Sequence, residues 1–156
     1  MGISLLPEDI DHTTCPIRFA YPASPDLAAR LEGRAVDLAL ADEATRKLLT
    51  KYDTVLIEGA GGLMVPIEGD YTMLDYVKER HLPVILTTNP RLGSVSHTLM
   101  SLEVCRAHGM EVDILAFSPL PATAPEITAD TRELFRRYIA EHMPHTQFIE
   151  IPIINI

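Results

Sequence analysis

Apolar positions recur along this chain in two rhythms. Short unbroken apolar runs alternate with stretches in which apolar residues return every three or four positions; the first predicts buried strands, the second amphipathic helices. The runs fall at residues 54–57, 84–88, 112–117 and 148–152. Helical spacing appears over residues 42–52, where Ala41, Ala44, Leu48, Leu49 and Tyr52 share a face. It returns over 94–108, with Val95, Leu99, Leu102 and Cys105 inward, and over 130–142, with Leu134, Phe135, Tyr138 and Ile139 inward. Ser24-Pro25 starts a helix that runs to about Glu32, where Gly33 stops it. Thr72 caps a helix from Met73 to about Arg80, with Asp75 as the capping-box acid three residues on. Residues 1–35, with Pro7, Pro16, Pro22 and Pro25, read as a loop-rich opening, and Glu68-Gly69-Asp70 as a surface segment. Strand and helix in alternation predict a three-layer α/β domain over residues 1–156, a mainly parallel sheet with helices on both faces.

Composition narrows the function classes. A content of 47% hydrophobic residues in 156 suits one globular domain. No apolar run approaches the roughly 20 residues that span a bilayer. The acidic N-terminus has no basic segment followed by a long apolar core, so it predicts no signal peptide. Cys15 and Cys105 carry no metal or redox spacing and read as free thiols in a reducing cytoplasm. The net charge of −9, with no basic cluster beyond Arg136-Arg137, argues against a nucleic-acid partner. An acidic protein that handles phosphates needs a local source of positive potential.

Candidate chemistry gathers at the ends of the predicted strands. Glu58 sits where the first run meets Gly59-Ala60-Gly61-Gly62, and ligands of open α/β sheets bind outside the carboxyl ends of the strands. The glycines would let a ligand approach main-chain N–H groups, with Glu58 facing a cation or phosphate; an ordinary strand-to-loop turn with a solvated acid explains the same residues. Leu92-Gly93-Ser94-Val95-Ser96-His97 lies between a strand end and a helix start. The unpaired first N–H groups of that helix suit a carboxylate or phosphate, with Ser94 and Ser96 hydroxyls assisting; simple capping by Ser94 is the plainer alternative. His97 reads as a packed or hydrogen-bonded structural histidine before a catalytic one. Asp9 and Asp11 read as solvated loop acids before a metal pair, and the remaining histidines show no ligand spacing. Ser101 and Ser118 lack the surroundings of a hydrolase nucleophile, and the glycine cluster does not match a dinucleotide fingerprint. No G-x-x-x-x-G-K-(S/T) occurs, and the three lysines, Lys47, Lys51 and Lys78, lie in predicted helices away from glycines. A lysine clamp on β- and γ-phosphates is therefore not encoded in these residues.

Two segments together carry a family resemblance. Val55-Leu56-Ile57-Glu58-Gly59-Ala60-Gly61-Gly62-Leu63-Met64-Val65-Pro66 resembles the second nucleotide motif of dethiobiotin synthetases. Leu92-Gly93-Ser94-Val95-Ser96-His97-Thr98-Leu99 is similar to the L-G-x-I-N-H-(T/A)-L segment of that family, and residues 15–29 resemble its loop and helix before the central strand. The likeness runs from about Pro16 to Pro152.

The resemblance implies a P-loop NTPase-like fold lacking the first strand-loop-helix unit. In the family that unit holds the phosphate loop, a lysine and serine that contact substrate, and an aspartate for magnesium. It also implies a ligase of biotin synthesis that uses MgATP to close a cyclic urea from CO₂ and 7,8-diaminononanoate. By position, Glu58 would ligate Mg²⁺, and Glu58, Gly59, Ala60 and Gly61 would line the ATP phosphates. Ser118, Pro119, Pro152, Ile153 and Ile154 would border the adenine. Gly93, Ser94, Val95 and Ser96 would receive the carboxylate of a diamino acid bound mainly to a partner subunit, which implies a cytoplasmic homodimer. Two positions depart from the family: Ser118 and Ser96 stand where it often carries asparagine. The expectation is a dethiobiotin synthetase-like protein with little or no activity as this chain alone. The alternative is a non-catalytic dimeric binding protein that has given up ATP, and a partitioning-type ATPase suits the Leu92–Leu99 segment poorly.

Overall fold

The computed structural model describes residues 4–153. In chain order its elements are α1 (Pro7–Ile10), α2 (Pro25–Leu31), α3 (Leu38–Leu49), β1 (Pro66–Glu68), β2 (Tyr71–Thr72), α4 (Met73–Glu79), β3 (Ile85–Thr88), α5 (Ser94–Ala107), β4 (Ile114–Phe117), α6 (Pro125–His142) and β5 (Gln147–Glu150). The chain divides into two units, Met1–Tyr76 and Val77–Ile156.

The second unit carries the α/β architecture. β3, β4 and β5 lie side by side in that order, all parallel, with Thr88 opposite Phe117 and Phe117 opposite Glu150. Consecutive parallel strands joined by right-handed crossovers put both connecting helices on one face. In keeping with this, the Tyr138 hydroxyl of α6 donates to Glu103 of α5. Leu115, Phe117, Leu102, Cys105 and Phe135 are fully buried and form the core of this unit. The α/β class with a parallel sheet is thus as the periodicity predicts.

Helix faces differ in detail. α5 buries Ser94, Thr98, Leu102 and Cys105, so Val95 and Leu99 of the predicted stripe are only half-buried. The reason is a polar pair: Thr88 and Thr98 share a buried hydroxyl–hydroxyl bond of 2.6 Å, which draws the threonine side of the helix inward. α6 begins at Pro125, five residues ahead of the predicted start, because a proline in the first turn loses no hydrogen bond there. It buries Thr131, Phe135 and Ile139.

The first unit is built differently. Its opening is not wholly loop: α1 is a single turn whose Glu8, 3% exposed, accepts hydrogen bonds from Lys51 Nζ and from the Tyr52 hydroxyl. α2 keeps its predicted limits and ends into Gly33 at φ +62°. α3 starts at Leu38, earlier than apolar spacing predicts, because Asp37 caps it by accepting from Ala39 N. The segment around Glu68-Gly69-Asp70 turns out to be the tip of a small antiparallel hairpin of β1 and β2.

The predicted first strand is absent. Residues 54–57 belong to no strand, and Leu56 is 79% exposed and Ile57 44%. An apolar run becomes a strand only where a neighbour completes its ladder, and no described residue pairs with this one.

Candidate functional site

The glycine loop belongs to the first unit. Glu58 is exposed, and among the described residues nothing pairs with its carboxylate. Gly61 adopts φ +95°, a conformation side chains rarely take, and a Cβ there would lie 2.7 Å from Val65 Cγ2. A Cβ on Gly59 would meet Met73 Cε at 2.8 Å. The loop closes on itself through Val65 N to Gly62 O at 3.0 Å. It is then pinned to the start of α4, where Met73 N donates to Val65 O at 3.1 Å and Leu74 N to Leu63 O at 2.8 Å. These bonds use up the first free amides of α4. The predicted capping box is present, with Thr72 N donating to Asp75 at 2.8 Å and Asp75 N to Thr72 Oγ1 at 3.4 Å. Glu58 and Ala60 also edge an open, mainly apolar cavity of about 460 Å³ walled by Phe19, Val36, Leu48 and Met73.

The other candidates lie in the second unit, at the carboxyl ends of its strands. Ser118 N donates to Thr88 O and Ile151 N to Phe117 O, each at 2.8 Å, so the chain leaves β3, β4 and β5 at one edge. After β3, Gly93 at φ +88° is the N-cap of α5, and no side chain caps it. Ser94 is therefore not the cap. It is buried, its amide donates to Arg91 O at 2.9 Å and its hydroxyl to Asn89 O. The amides of Val95 and Ser96 have no acceptor within the helix, and Ser96 is exposed beside them. Those two N–H groups lie at the positive end of the α5 dipole, where negative charge is favoured. His97 is exposed, not packed.

After β4, the Ser118 hydroxyl stays within its own loop, 3.3 Å from Leu120 N and 3.4 Å from Leu120 O. Pro119 is half-buried, and Pro152 and Ile153 beyond β5 are exposed. Ile154 lies outside the described residues. Arg132 and Arg136, which apolar spacing does not single out, reach Glu150 at the end of β5 at 3.2 and 2.8 Å. Their spacing of four on a helix was the available signal, since it puts both on one face.

Other candidates have plainer roles. Asp9 accepts from the Thr14 hydroxyl and Leu6 N, both at 2.8 Å, and Asp11 from Thr13, so both acids fold their own loop. Their carboxyls lie below the usual range, chiefly through the Thr14 and Thr13 hydroxyls. Burial pushes the Cys105 thiol up, the opposite of what a nucleophile needs. Among the described residues no group of three or more His, Cys, Asp or Glu is arranged to hold a metal ion, and no helix is long and apolar enough to cross a membrane.

Comparison with known proteins places this architecture. A family described as an AAA domain matches residues 4–154. The chain is similar to ATP-dependent dethiobiotin synthetase BioD 2 of Haemophilus ducreyi, 43% identical over 148 residues that are 95% of this chain and 70% of the relative. It is 41% identical over 155 residues to ATP-dependent dethiobiotin synthetase BioD 2 of Pasteurella multocida, covering 99% of this chain and 73% of the relative. The similar protein of Chlorobaculum tepidum, ATP-dependent dethiobiotin synthetase BioD, is 40% identical over 156 residues, all of this chain and 64% of the relative.

Proposed function

Because the chain belongs to the dethiobiotin synthetase family, and with it to biotin biosynthesis, we propose that its residues supply the substrate and nucleotide-base side of an ATP-dependent cyclic-urea ligase. The observation that carries this reading is the alignment of the three strand exits: the α5 start, the Ser118 loop and the chain after Glu150 leave one edge of a parallel sheet. That edge is where α/β sheets take ligands.

The roles follow from the donors present. The Val95 and Ser96 amides and the Ser96 hydroxyl are suited to a carboxylate, which orients a diamino acid by its far end and leaves its two amines for the reaction. Ser118, Pro119, Pro152 and Ile153 offer an apolar border with one hydroxyl for a purine. Glu58 fits Mg²⁺ as one hard oxygen ligand, because Mg²⁺ is usually held by one or two carboxylates plus phosphates and water. Bound MgATP would supply a phosphoryl group: a carbamate formed from one amine and CO₂ would accept it, and attack by the second amine would close the ring and release phosphate. We further infer a cytoplasmic homodimer in which each carboxylate site serves substrate held mainly by the partner.

Phosphoryl transfer depends almost wholly on positioning and electrostatics. The 156 residues hold no phosphate-loop motif. Their ligase activity is therefore expected to be very low alone and to appear when a phosphate-loop segment is supplied. The test measures ATP-dependent dethiobiotin formation from 7,8-diaminononanoate and bicarbonate, with and without the phosphate-loop segment of the Haemophilus ducreyi relative. Product from the 156 residues alone would refute the need for that loop. No product in either case would favour the second reading, a binding protein without ATP use, which the serines at positions 96 and 118 support.

A further inference from the structure

β5 is the edge strand of the described sheet, so one of its sides has no ladder. Among the described residues one backbone bond fastens the chain beyond Glu150, Ile151 N to Phe117 O at 2.8 Å, and Ile151 is 39% exposed. Among the described residues no backbone hydrogen bond ties Pro152 or Ile153 to the Ser118 loop.

Side chains of α6 supply what the backbone lacks. Glu150 receives Arg136 Nη2 on one oxygen at 2.8 Å and Arg132 Nη2 on the other at 3.2 Å. Each guanidinium also covers an aromatic ring: Arg136 lies 4.8 Å from the centre of Phe148 and Arg132 5.7 Å from that of Phe117. The two rings are 6.0 Å apart, and Phe117 is fully buried at the end of β4. An isolated exposed ion pair adds little, but two cations on one carboxylate, each resting on a ring, have little freedom to separate. Among the described residues Arg132 Nε is buried without a hydrogen-bond partner, an arrangement that the Glu150 contact and the Phe117 face have to offset.

We propose that Arg132 and Arg136, acting through Glu150, are positioning residues that hold the chain after β5 in register with the Ser118 loop and so set the width of a purine-base site. The inference rests on the reading of Ser118, Pro119, Pro152 and Ile153 as that site. None of the three charged residues needs to touch the base.

Two measurements on the 156-residue chain test it. In the first, amide hydrogen exchange is followed in wild type, Glu150→Gln and Arg136→Lys. Glu150→Gln is expected to speed exchange at Ile151 by about tenfold with Leu115 and Ala116 unchanged, while Arg136→Lys, which keeps a cation, stays close to wild type. In the second, ATP and GTP are titrated by calorimetry. Wild type is expected to favour ATP, and Glu150→Gln to lose about tenfold of that preference at unchanged melting temperature. Unchanged exchange at Ile151 would overturn the clamp. Faster exchange with no ATP preference in wild type would overturn the base site and leave the clamp as a purely structural tie. A retained preference in Glu150→Gln would overturn the link between them.

Discussion

At Gly61 two separate restrictions meet in one residue. Its φ of +95° disfavours any side chain, and an added Cβ would lie 2.7 Å from Val65 Cγ2. Gly61→Ala is therefore expected to lower stability by about 1–3 kcal/mol, read from the urea midpoint. Adding Val65→Ala removes the clash but not the φ strain, so the double variant should recover only part of the loss. Full recovery would mean that backbone strain is absent. Glu58, next to this turn, stood out in the sequence as an acid between an apolar run and glycines, but the strand expected to carry it does not form. The fate of Ser94 was not legible. Its residue type suits a cap, but the capping geometry falls to Gly93, and the Ser94 hydroxyl is drawn to Asn89 O by the path of the loop.

Elements with both a periodic face and a chemical stop signal emerged close to their predicted limits: α2 before Gly33, α4 after its capping box and α5 before Gly109. Thr72→Ala breaks the α4 capping box and is expected to cost about 1 kcal/mol in chemical unfolding, with no change at β5. The segment at 54–57 shows the limit of such reading. Its apolar run is visible, but pairing is a property of two strands, and an unpaired apolar stretch invites association with other chains. Leu56, 79% exposed, is the place to test this. Leu56→Lys should reduce concentration-dependent light scattering while leaving stability within about 0.5 kcal/mol. Equal scattering from both proteins would show that association uses another surface.

Across the molecule, carboxylates dominate the expected acid response. Lys51 holds Glu8 below the usual glutamate range, Arg106 does the same for Glu103, and the Gly69 amide does so for Asp26. A carboxyl depressed in the folded state stabilises the protein above its unfolded pKa, about 4.3 for glutamate, and loses that contribution as pH falls through the lower folded value. Melting temperature should thus be nearly flat from pH 7 to 5 and fall below about pH 4. Glu8→Gln, which removes one such group, should show a gap from wild type at pH 7 that closes by pH 3. A constant gap would place the effect in packing and not in charge. Tyr138, pushed up to about 12 by burial and by Glu103, stays protonated across this range. In the core, Phe135→Ala removes a fully buried ring and is expected to destabilise by about 3–5 kcal/mol in urea unfolding.

By itself the sequence determined the α/β class, the limits of α2, α4 and α5, the family, and the placing of the Leu92–Ser96 and Ser118 segments directly after strands. These follow from local rules: apolar spacing, caps, glycine stops and motif spacing act within a few residues. Tertiary structure alone decided that residues 54–57 stay unpaired, that the threonine side of α5 turns inward, and that Arg132 and Arg136 converge on Glu150. Each of these depends on a partner distant in the chain, and the energy of a ladder, a buried hydroxyl pair or an ion cluster exists only once the fold has brought both sides together.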